Sequence, residues 1–170
     1  EQFLQKQMDE RGNRTRSGKF NPSSFGQCFR RQYWNRKDIE TSNPISVETT
    51  KIFIRGNLRG DFIQSLYPTA HTEVEVVLRD VHGFADIVPD GNEVIELKAP
   101  GKWKFTSVSK KVKETDSEWN QRIEKDCVDY ILQVMFYAMV LKKEYGRLVF
   151  IDENFDIVEF VFYTASWMQA

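Results

Sequence analysis

The chain has 170 residues, and its 24 Lys and Arg against 25 Asp and Glu give a formal net charge of -1. This balance excludes a protein that binds nucleic acid or membranes through its overall charge, so any site for a polyanion must be a local basic patch. The length suits one domain, the two cysteines indicate neither a disulfide scaffold nor a zinc site, and the lack of an apolar run or signal sequence leads us to expect an intracellular protein with no membrane partner.

The first part of the chain, residues 1–67, is predicted to be helical. Residues 1–20 are polar and fit a loose helix. A capping sequence, NPSS at 21–24, is followed by apolar residues at helical spacing, which predicts a short amphipathic helix. A second helix is predicted over 46–67, although two glycines lie inside it.

The following part, residues 72–162, is predicted to form a sheet and a long helix. TEVEVVL, GFADIV and NEVIELK are bounded by turn residues and predict three antiparallel strands. A lysine-rich stretch over 101–117 is predicted to be a mobile loop, and the apolar spacing over 118–145 predicts a long helix that ends at Gly146. Two further strands, RLVFI and DIVEFVFY, follow. The expected fold class is α/β, with a mixed central β-sheet flanked by helices.

The connection between the second and third predicted strands decides whether two acidic side chains meet. A two-residue turn at 90–91 would place Asp86 opposite Ile95 and leave Glu96 on the other face of the sheet. A three-residue connection would place Asp86 directly opposite Glu96. Because side chains alternate along a strand, Lys98 lies on the same face as Glu96.

In the second register, the two acids and the lysine would emerge from an otherwise apolar face. The apolar neighbours would be Phe84, Val88 and Val94. Three ionisable groups in such a place require a compensating ion. The carboxylates of Asp86 and Glu96 with the backbone carbonyl of Leu97 suit Mg²⁺ or Mn²⁺. Such an ion would activate a water, and Lys98 would orient that water or stabilise the developing oxyanion, so the parts suit phosphodiester hydrolysis.

Three motifs resemble those of a known family, in the same order. GFADI with Asp86, nine intervening residues, and IELKAP with Glu96 and Lys98 resemble the central motif of the RecB-like exonuclease branch of the PD-(D/E)xK nuclease superfamily. Gln133 and Tyr137 in YILQVMFYAMVL match that branch's QxxxY motif, and their spacing puts both on one face of a helix. SSFGQCFRRQYW resembles the N-terminal helix of CRISPR-associated and viral members.

The resemblance covers roughly residues 22–145 and implies a nuclease of restriction-endonuclease-like fold. We expect one nuclease domain over residues 1–170, with N-terminal helices in 1–67 and a catalytic sheet and long helix in 72–162. The resemblance implies a deoxyribonuclease that uses Mg²⁺ or Mn²⁺, most simply an exonuclease acting on DNA ends or single strands in recombination, repair or viral DNA processing. The implied catalytic set is Asp86, Glu96, Lys98, Gln133 and Tyr137. The implied partners are DNA, a recombination or replication protein, and further copies of the chain.

The sequence departs from the family at two points. Many family members carry a metal-ligating His in a Gly-x-x-x-His pattern, whereas here Gly56 is followed by Gly60, with Asp61 beside it as the candidate substitute. Iron–sulfur members need further cysteines near the C-terminus, and none follows Cys127, so no iron–sulfur cluster is expected. Cys28 is then predicted to be a small buried hydrophobic residue.

Two basic and aromatic clusters are candidates for DNA contacts, although each could be an ordinary solvated surface. Lysines would contact phosphates, and aromatic rings would stack on unpaired bases. The first cluster follows the catalytic strand and comprises Lys102, Trp103, Lys104, Lys110 and Lys111. The second comprises Arg30 and Arg31 with Tyr33 and Trp34. Glu73 and Glu75 share one face of a strand, where we expect them to be solvated, with a role near the metal as the alternative.

Two other functions fit the same residues. The missing His would suit a catalytically inactive nuclease fold that is retained as a DNA-binding or protein-interaction module. A structure-specific endonuclease, such as a resolvase or a restriction enzyme, would use the same catalytic set. A lack of metal binding that depends on Glu96 would favour the inactive module. Cleavage of a covalently closed circle would favour the endonuclease over the exonuclease.

Overall fold

A computed structural model describes residue 6 and residues 18–37 and 46–167. The helix predicted over 1–20 lies almost wholly outside these residues. The short helix predicted after the NPSS sequence is found as two elements, a 3₁₀ turn over Pro22–Ser24 and helix α1 over Phe29–Arg36. Asn21 caps the 3₁₀ turn, because its side chain accepts a hydrogen bond from the backbone N–H of Ser23.

The second predicted helix is confirmed as α2, Val47–Ser65, in spite of its two glycines. It begins at Ser46, whose hydroxyl accepts a hydrogen bond from the backbone N–H of Thr49. Ile63 is the largest apolar side chain that α2 buries against the sheet. Within the residues that the structure describes, no helix combines the length and the apolar character that crossing a membrane would require.

Five strands form one sheet in the order β1-β2-β3-β4-β5. They are β1 His71–Leu78, β2 Val81–Val88, β3 Glu93–Lys98, β4 Tyr145–Ile151 and β5 Ile157–Tyr163. Strands β3 and β4 pair in parallel, and the other neighbours are antiparallel. A short helix, α6 over Thr164–Trp167, follows β5. The mixed central sheet flanked by helices confirms the expected fold class.

Three helices connect the parallel pair: α3 Lys102–Val108, α4 Asp116–Asp126 and α5 Val128–Leu141. The mobile loop predicted over 101–117 is therefore wrong, because α3 occupies its first half. The guanidinium of Arg122 donates hydrogen bonds to the carbonyls of Ser107 and Ser109 and forms an ion pair with Glu114, which ties the second half down. The prediction failed because this stretch is rich in lysine and shows no regular repeat of apolar residues at helical spacing.

The single long helix predicted over 118–145 is also wrong. Cys127 separates α4 from α5, and α5 ends at Leu141 because Lys142 adopts the left-handed conformation with φ 55. Gly146 does not end a helix but lies inside β4, where an added Cβ would be 2.5 Å from the ring of Phe162. The lack of a side chain at Gly146 therefore lets Phe162 and Val134 pack directly against β4.

The sheet is covered on both faces. Helix α5 packs on one face, and the core there is lined by Val76, Ala85, Val94, Ile131, Val134, Leu148 and Phe160. Helix α2 packs on the other face over a smaller core of Ile63, Ile87, Ile95, Val149 and Ile151. Polar side chains that point toward α5 from the middle of the sheet are therefore shielded from water.

Candidate active site

The β2–β3 hairpin has the three-residue connection. Ile87 pairs with Ile95, and one step along each strand from that pair places Asp86 opposite Glu96. Residues 90–92 form the connection, and Asp90 is an exposed turn residue there. The register that separates the two acids is excluded.

The alternation of side chains along β2 breaks at Asp86. Ala85 belongs to the core under α5, whereas Ile87, two residues later, belongs to the core under α2. On β1, the residue opposite Asp86 is Glu73, because Thr72 pairs with Ile87 and Val74 pairs with Ala85. Glu73 has φ 51, a conformation that side chains rarely adopt. The regular backbone of both strands is thus interrupted at the pair Glu73 and Asp86.

The break has a consequence for the residues predicted beside the acids. Phe84 is 46% exposed and packs on the ring of His82 at 5.2 Å, so the prediction that it adjoins the acids is wrong. Val88 and Val94 do lie in the core under α5, as expected. The face around the acids is apolar, but Phe84 is not part of it.

The Asp86 carboxylate lies between β2 and β3. Its Oδ2 accepts a hydrogen bond of 2.7 Å from the backbone N–H of Leu97. Burial raises the pKa of Asp86 to about 8, and the neighbouring Glu96 carboxylate adds to the rise, whereas the Leu97 N–H and Lys98 oppose it. In the metal-free protein this carboxyl is therefore largely protonated at neutral pH.

Glu96, Lys98, Gln133 and Tyr137 form one hydrogen-bonded network between β3 and α5. The ammonium of Lys98 donates to Glu96 Oε1 at 2.7 Å and to Gln133 Oε1 at 3.0 Å. The amide of Gln133 donates to the same Glu96 oxygen at 2.7 Å and to the Tyr137 hydroxyl at 3.3 Å. The structure thus brings together the five residues of the predicted set, since Asp86 faces Glu96.

One oxygen of this network has no partner. Glu96 is 3% exposed, and its Oε2 is buried without a hydrogen bond, while Oε1 accepts two. Burial raises the pKa of Glu96, although Lys98 and Gln133 lower it. Burial is the largest single influence on the pKa of Lys98 and lowers it, but Glu96, Asp86 and Tyr130 together raise it by more. The pKa of Lys98 therefore lies above its ordinary value, and the side chain carries a charge.

Gly83 allows Tyr137 to approach β2. A Cβ at this position would lie 2.7 Å from the Tyr137 hydroxyl and 2.8 Å from Cδ of Pro22. Burial, followed by the charge of Glu96, raises the pKa of Tyr137, so its hydroxyl keeps its proton. The tyrosine can therefore support Gln133 without adding a charge.

Sequence reasoning missed Gln64 of α2. Its amide donates to Glu73 Oε1 at 3.1 Å and to the backbone carbonyl of Asp86 at 3.3 Å. The charge of Glu73, which is exposed as expected, raises the pKa of both Asp86 and Glu96. The signal was the Gly-x-x-x spacing, which reaches Gln64 when it is counted from Gly60.

Asp61, the substitute suggested by the sequence, is exposed on α2, and no contact in the described part of the chain joins it to Asp86 or Glu96. Nor do the described residues contain a group of three or more His, Cys, Asp or Glu side chains placed to hold a metal ion. The side chains available to a cation are therefore the two carboxylates of Asp86 and Glu96.

Comparison with known proteins gives structural matches only. No protein-family model matches the chain, and no curated protein matches it. The crystal structure of SSO0001 is similar with a TM-score of 0.60 and 19% identity, over 98% of this chain and 80% of that one. An alkaline exonuclease from Laribacter hongkongensis, LHK-Exo, is similar with a TM-score of 0.53 and 12% identity, over 97% of this chain and 86% of that one. The complex of LHK-Exo with dAMP is similar with a TM-score of 0.51 and 15% identity, over 91% of this chain and 84% of that one.

The chain shares the fold of an exonuclease. At these identities the likeness concerns the fold, and the chemistry of the site depends on the residues of this chain.

The first basic and aromatic cluster is divided by the structure. Lys102, Trp103 and Lys104 lie on α3, directly after the strand that carries Lys98, and Trp103 is 89% exposed. Lys110 lies beyond α3 and pairs with Asp116 at 2.5 Å, and Lys111 follows it. Of this cluster, the residues on α3 are therefore the ones that directly follow strand β3.

The second cluster lies on and beside α1. The guanidinium of Arg30 stacks on the Trp34 ring at 4.5 Å, and Arg31 is exposed. Cys28, which precedes α1, is exposed, so its predicted burial is wrong. Cys28 is exposed because it is the N-cap residue of α1, a helix that buries none of its residues. The backbone N–H groups of Arg31 and Arg30 lower the pKa of its thiol. Cys127 is buried.

Proposed function

We propose that the chain is a metal-dependent deoxyribonuclease of the PD-(D/E)xK superfamily, in which Asp86 and Glu96 bind Mg²⁺ or Mn²⁺. The observation that carries the proposal is the buried Glu96 Oε2, which has no hydrogen-bond partner and faces a second, partly buried carboxylate, that of Asp86. An unpaired buried carboxylate oxygen is costly, and buried charges are normally paired or bound to a metal. A divalent cation between the two acids would give Glu96 Oε2 a partner and would favour the ionised form of Asp86.

The donor set suits a hard cation. Two carboxylates and a carbonyl are the oxygen ligands that Mg²⁺ and Mn²⁺ prefer, and the remaining positions would hold water. In an extended strand the N–H and C=O of one residue face the same neighbouring strand. Because the Leu97 N–H is bonded to Asp86, the Leu97 carbonyl also faces β2, on the side where a cation would lie.

A bound cation would supply Lewis acidity toward a phosphoryl oxygen and a water of lowered pKa. Lys98 carries a charge and is held by two oxygens, so its ammonium can donate to the water or to the phosphate oxygen on which charge accumulates. Gln133 fixes the lysine and Glu96 together, and Tyr137 supports Gln133. These residues are held in place before substrate arrives.

DNA would reach the site along α3 and α1. The lysines of α3 would contact phosphates, and the exposed Trp103 would stack on a base. Arg30 and Arg31 would extend this surface, with Lys110 and Lys111 farther out. Because the overall charge is near zero, these local contacts must provide the affinity for DNA.

An exonuclease that acts on ends or single strands is the activity we assign. LHK-Exo is an alkaline exonuclease and was crystallised with dAMP. The shared fold and the sequence motifs support the same reaction in this chain. The proposed substrate is a DNA end or a single strand, and the proposed product is a deoxynucleotide.

The test compares a linear duplex, a single strand and a covalently closed circle, each with Mg²⁺ or Mn²⁺. We expect digestion of the linear substrates, an intact circle, and no cleavage by Asp86→Asn or Glu96→Gln. Asp90→Asn is the matched control, because it removes an exposed carboxylate from the same hairpin and should cut like the parent. Substrates left intact with both metals, or full activity in Asp86→Asn, would refute the proposal. A cut circle would favour the endonuclease.

The second candidate is an inactive nuclease fold that binds DNA or protein. It is favoured by the amide of Gln64, which stands where α2 approaches the acids and which is a poorer metal ligand than an imidazole. Calorimetry with Mn²⁺ separates the two candidates. Binding that is lost in Glu96→Gln supports the enzyme, and DNA binding without Mn²⁺ binding supports the inactive module.

A further inference from the structure

The ring of Tyr130 lies against the ammonium of Lys98. The Lys98 Nζ is 4.8 Å from the centroid of this ring, within the range of a cation–π interaction. Tyr130 is partly buried on α5, one helical turn before Gln133. The ammonium is thus contacted on three sides, by Glu96, by Gln133 and by an aromatic ring.

We infer that Tyr130 is a positioning residue for the catalytic lysine, an inference that rests on the proposed nuclease function. A lysine side chain is long and flexible, and its ammonium is strongly hydrated in water. At Lys98 burial removes most of that water, and two hydrogen bonds to oxygen do not by themselves fix the third N–H. The ring replaces water on the remaining side and restricts the ammonium to one place.

The ring is itself held from two directions. Phe150 of β4 contacts it with centroids 6.2 Å apart. Lys104 of α3 lies with its Nζ 6.0 Å from the same centroid and donates a hydrogen bond of 3.1 Å to the carbonyl of Asp126. The same ring therefore joins the catalytic lysine to the helix that we propose contacts DNA.

Steady-state kinetics on a linear duplex test the role. Tyr130→Phe keeps the ring, whereas Tyr130→Leu keeps apolar bulk without a ring face. We expect Tyr130→Phe to match the parent and Tyr130→Leu to lower kcat by about 3- to 30-fold with little change in KM. Lys104 also lies near this ring. If Tyr130 acts through Lys98, Tyr130→Leu must cause the same loss of kcat in a Lys104→Met background. A loss shared by both Tyr130 variants, or confined to KM, would contradict the inference.

A second measurement does not depend on cleavage. Protons above an aromatic face are shifted upfield, so the Hε resonances of Lys98, assigned by their absence in Lys98→Arg, should lie upfield in the parent and in Tyr130→Phe. They should return toward ordinary lysine positions in Tyr130→Leu. Unshifted resonances in the parent would overturn the inference. If the parent cuts no DNA but these shifts are present, the contact stands and the nuclease proposal fails.

Discussion

The carboxylate of Asp86 accepts a hydrogen bond from the backbone N–H of Leu97 at 2.7 Å, across the gap between β2 and β3. A side chain therefore occupies the place where the antiparallel ladder would continue. The arrangement brings one acid of β2 to the strand that carries the other acid and the lysine. It also leaves Asp86 partly buried and next to Glu96, with consequences that can be measured.

Asp86 should make the metal-free protein less stable as the pH rises. Its folded pKa of about 8 lies above the value near 3.9 in the unfolded chain, so the folded state binds more protons between these values. The free energy of unfolding should fall by up to about 1.4 kcal/mol per pH unit between pH 5 and 7.5. Urea denaturation in EDTA measures the slope. Asp86→Asn should flatten it, and Asp90→Asn should not; equal slopes in the parent and Asp86→Asn would contradict the assignment.

Gln64 should control metal affinity although it contacts Asp86 only at the backbone carbonyl. Gln64→Met removes the amide that holds Glu73 and the Asp86 carbonyl while it preserves the length of the side chain. We expect Mn²⁺ affinity to fall by about 10-fold or more, as for other residues that orient metal ligands. Calorimetry measures it, with Ser65→Ala on the same helix as the control. An unchanged Kd in Gln64→Met would show that the hydrogen bonds of Gln64 to Glu73 and to the Asp86 carbonyl do not affect metal binding.

Gly83→Ala should impair catalysis by displacing Tyr137. The new Cβ would lie 2.7 Å from the tyrosine hydroxyl, which must move and would take Gln133 with it. We expect at least a 10-fold loss of kcat, consistent with the cost of misplacing a positioned group. Gly91→Ala is the control, because a Cβ there meets nothing within 4 Å. Parent-like kcat in Gly83→Ala would rule out a role for the tyrosine.

Trp103 should contribute to the binding of single-stranded DNA. Stacking of a base on an aromatic ring contributes about 1–3 kcal/mol, so Trp103→Ala should weaken binding by about 5- to 150-fold. Fluorescence anisotropy with a labelled oligonucleotide, without added metal, measures the Kd. Val112→Ala is the control, since it removes another fully exposed apolar side chain close along the chain. Equal affinities for both variants would remove α3 from the DNA-binding surface.

Much of the site could be predicted because it depends on short-range rules. The alternation of side chains placed Lys98 beside Glu96, and a three-residue connection, one of the two that the sequence left open, opposes Asp86 and Glu96. The helical spacing of Gln133 and Tyr137 gave them a common face, and packing of α5 on β3 then aimed that face at Glu96.

Other parts depend on contacts that local patterns do not record. Phe84 lies on the unexpected face because of the break at Asp86, which accompanies a positive φ at Glu73, a residue type that gives no sign of it. Gln64 reaches Asp86 through the packing of α2 across the sheet. The division at Cys127 has neither Gly nor Pro to mark it. The start of α4 at Asp116 lies close to the predicted start at residue 118, and a local signal marks it, because Thr115 and Glu118 form a capping box.

The most direct measurement is anomalous diffraction at the manganese edge from crystals grown with Mn²⁺. We expect a peak about 2 Å from a carboxylate oxygen of Asp86 and from Glu96 Oε2, which has no partner in the metal-free protein. In Asp86→Asn crystals the peak should be lost or much weaker. A parent structure soaked to saturation that shows no density between these carboxylates, or manganese only at other residues, would contradict a metal-dependent nuclease at this site.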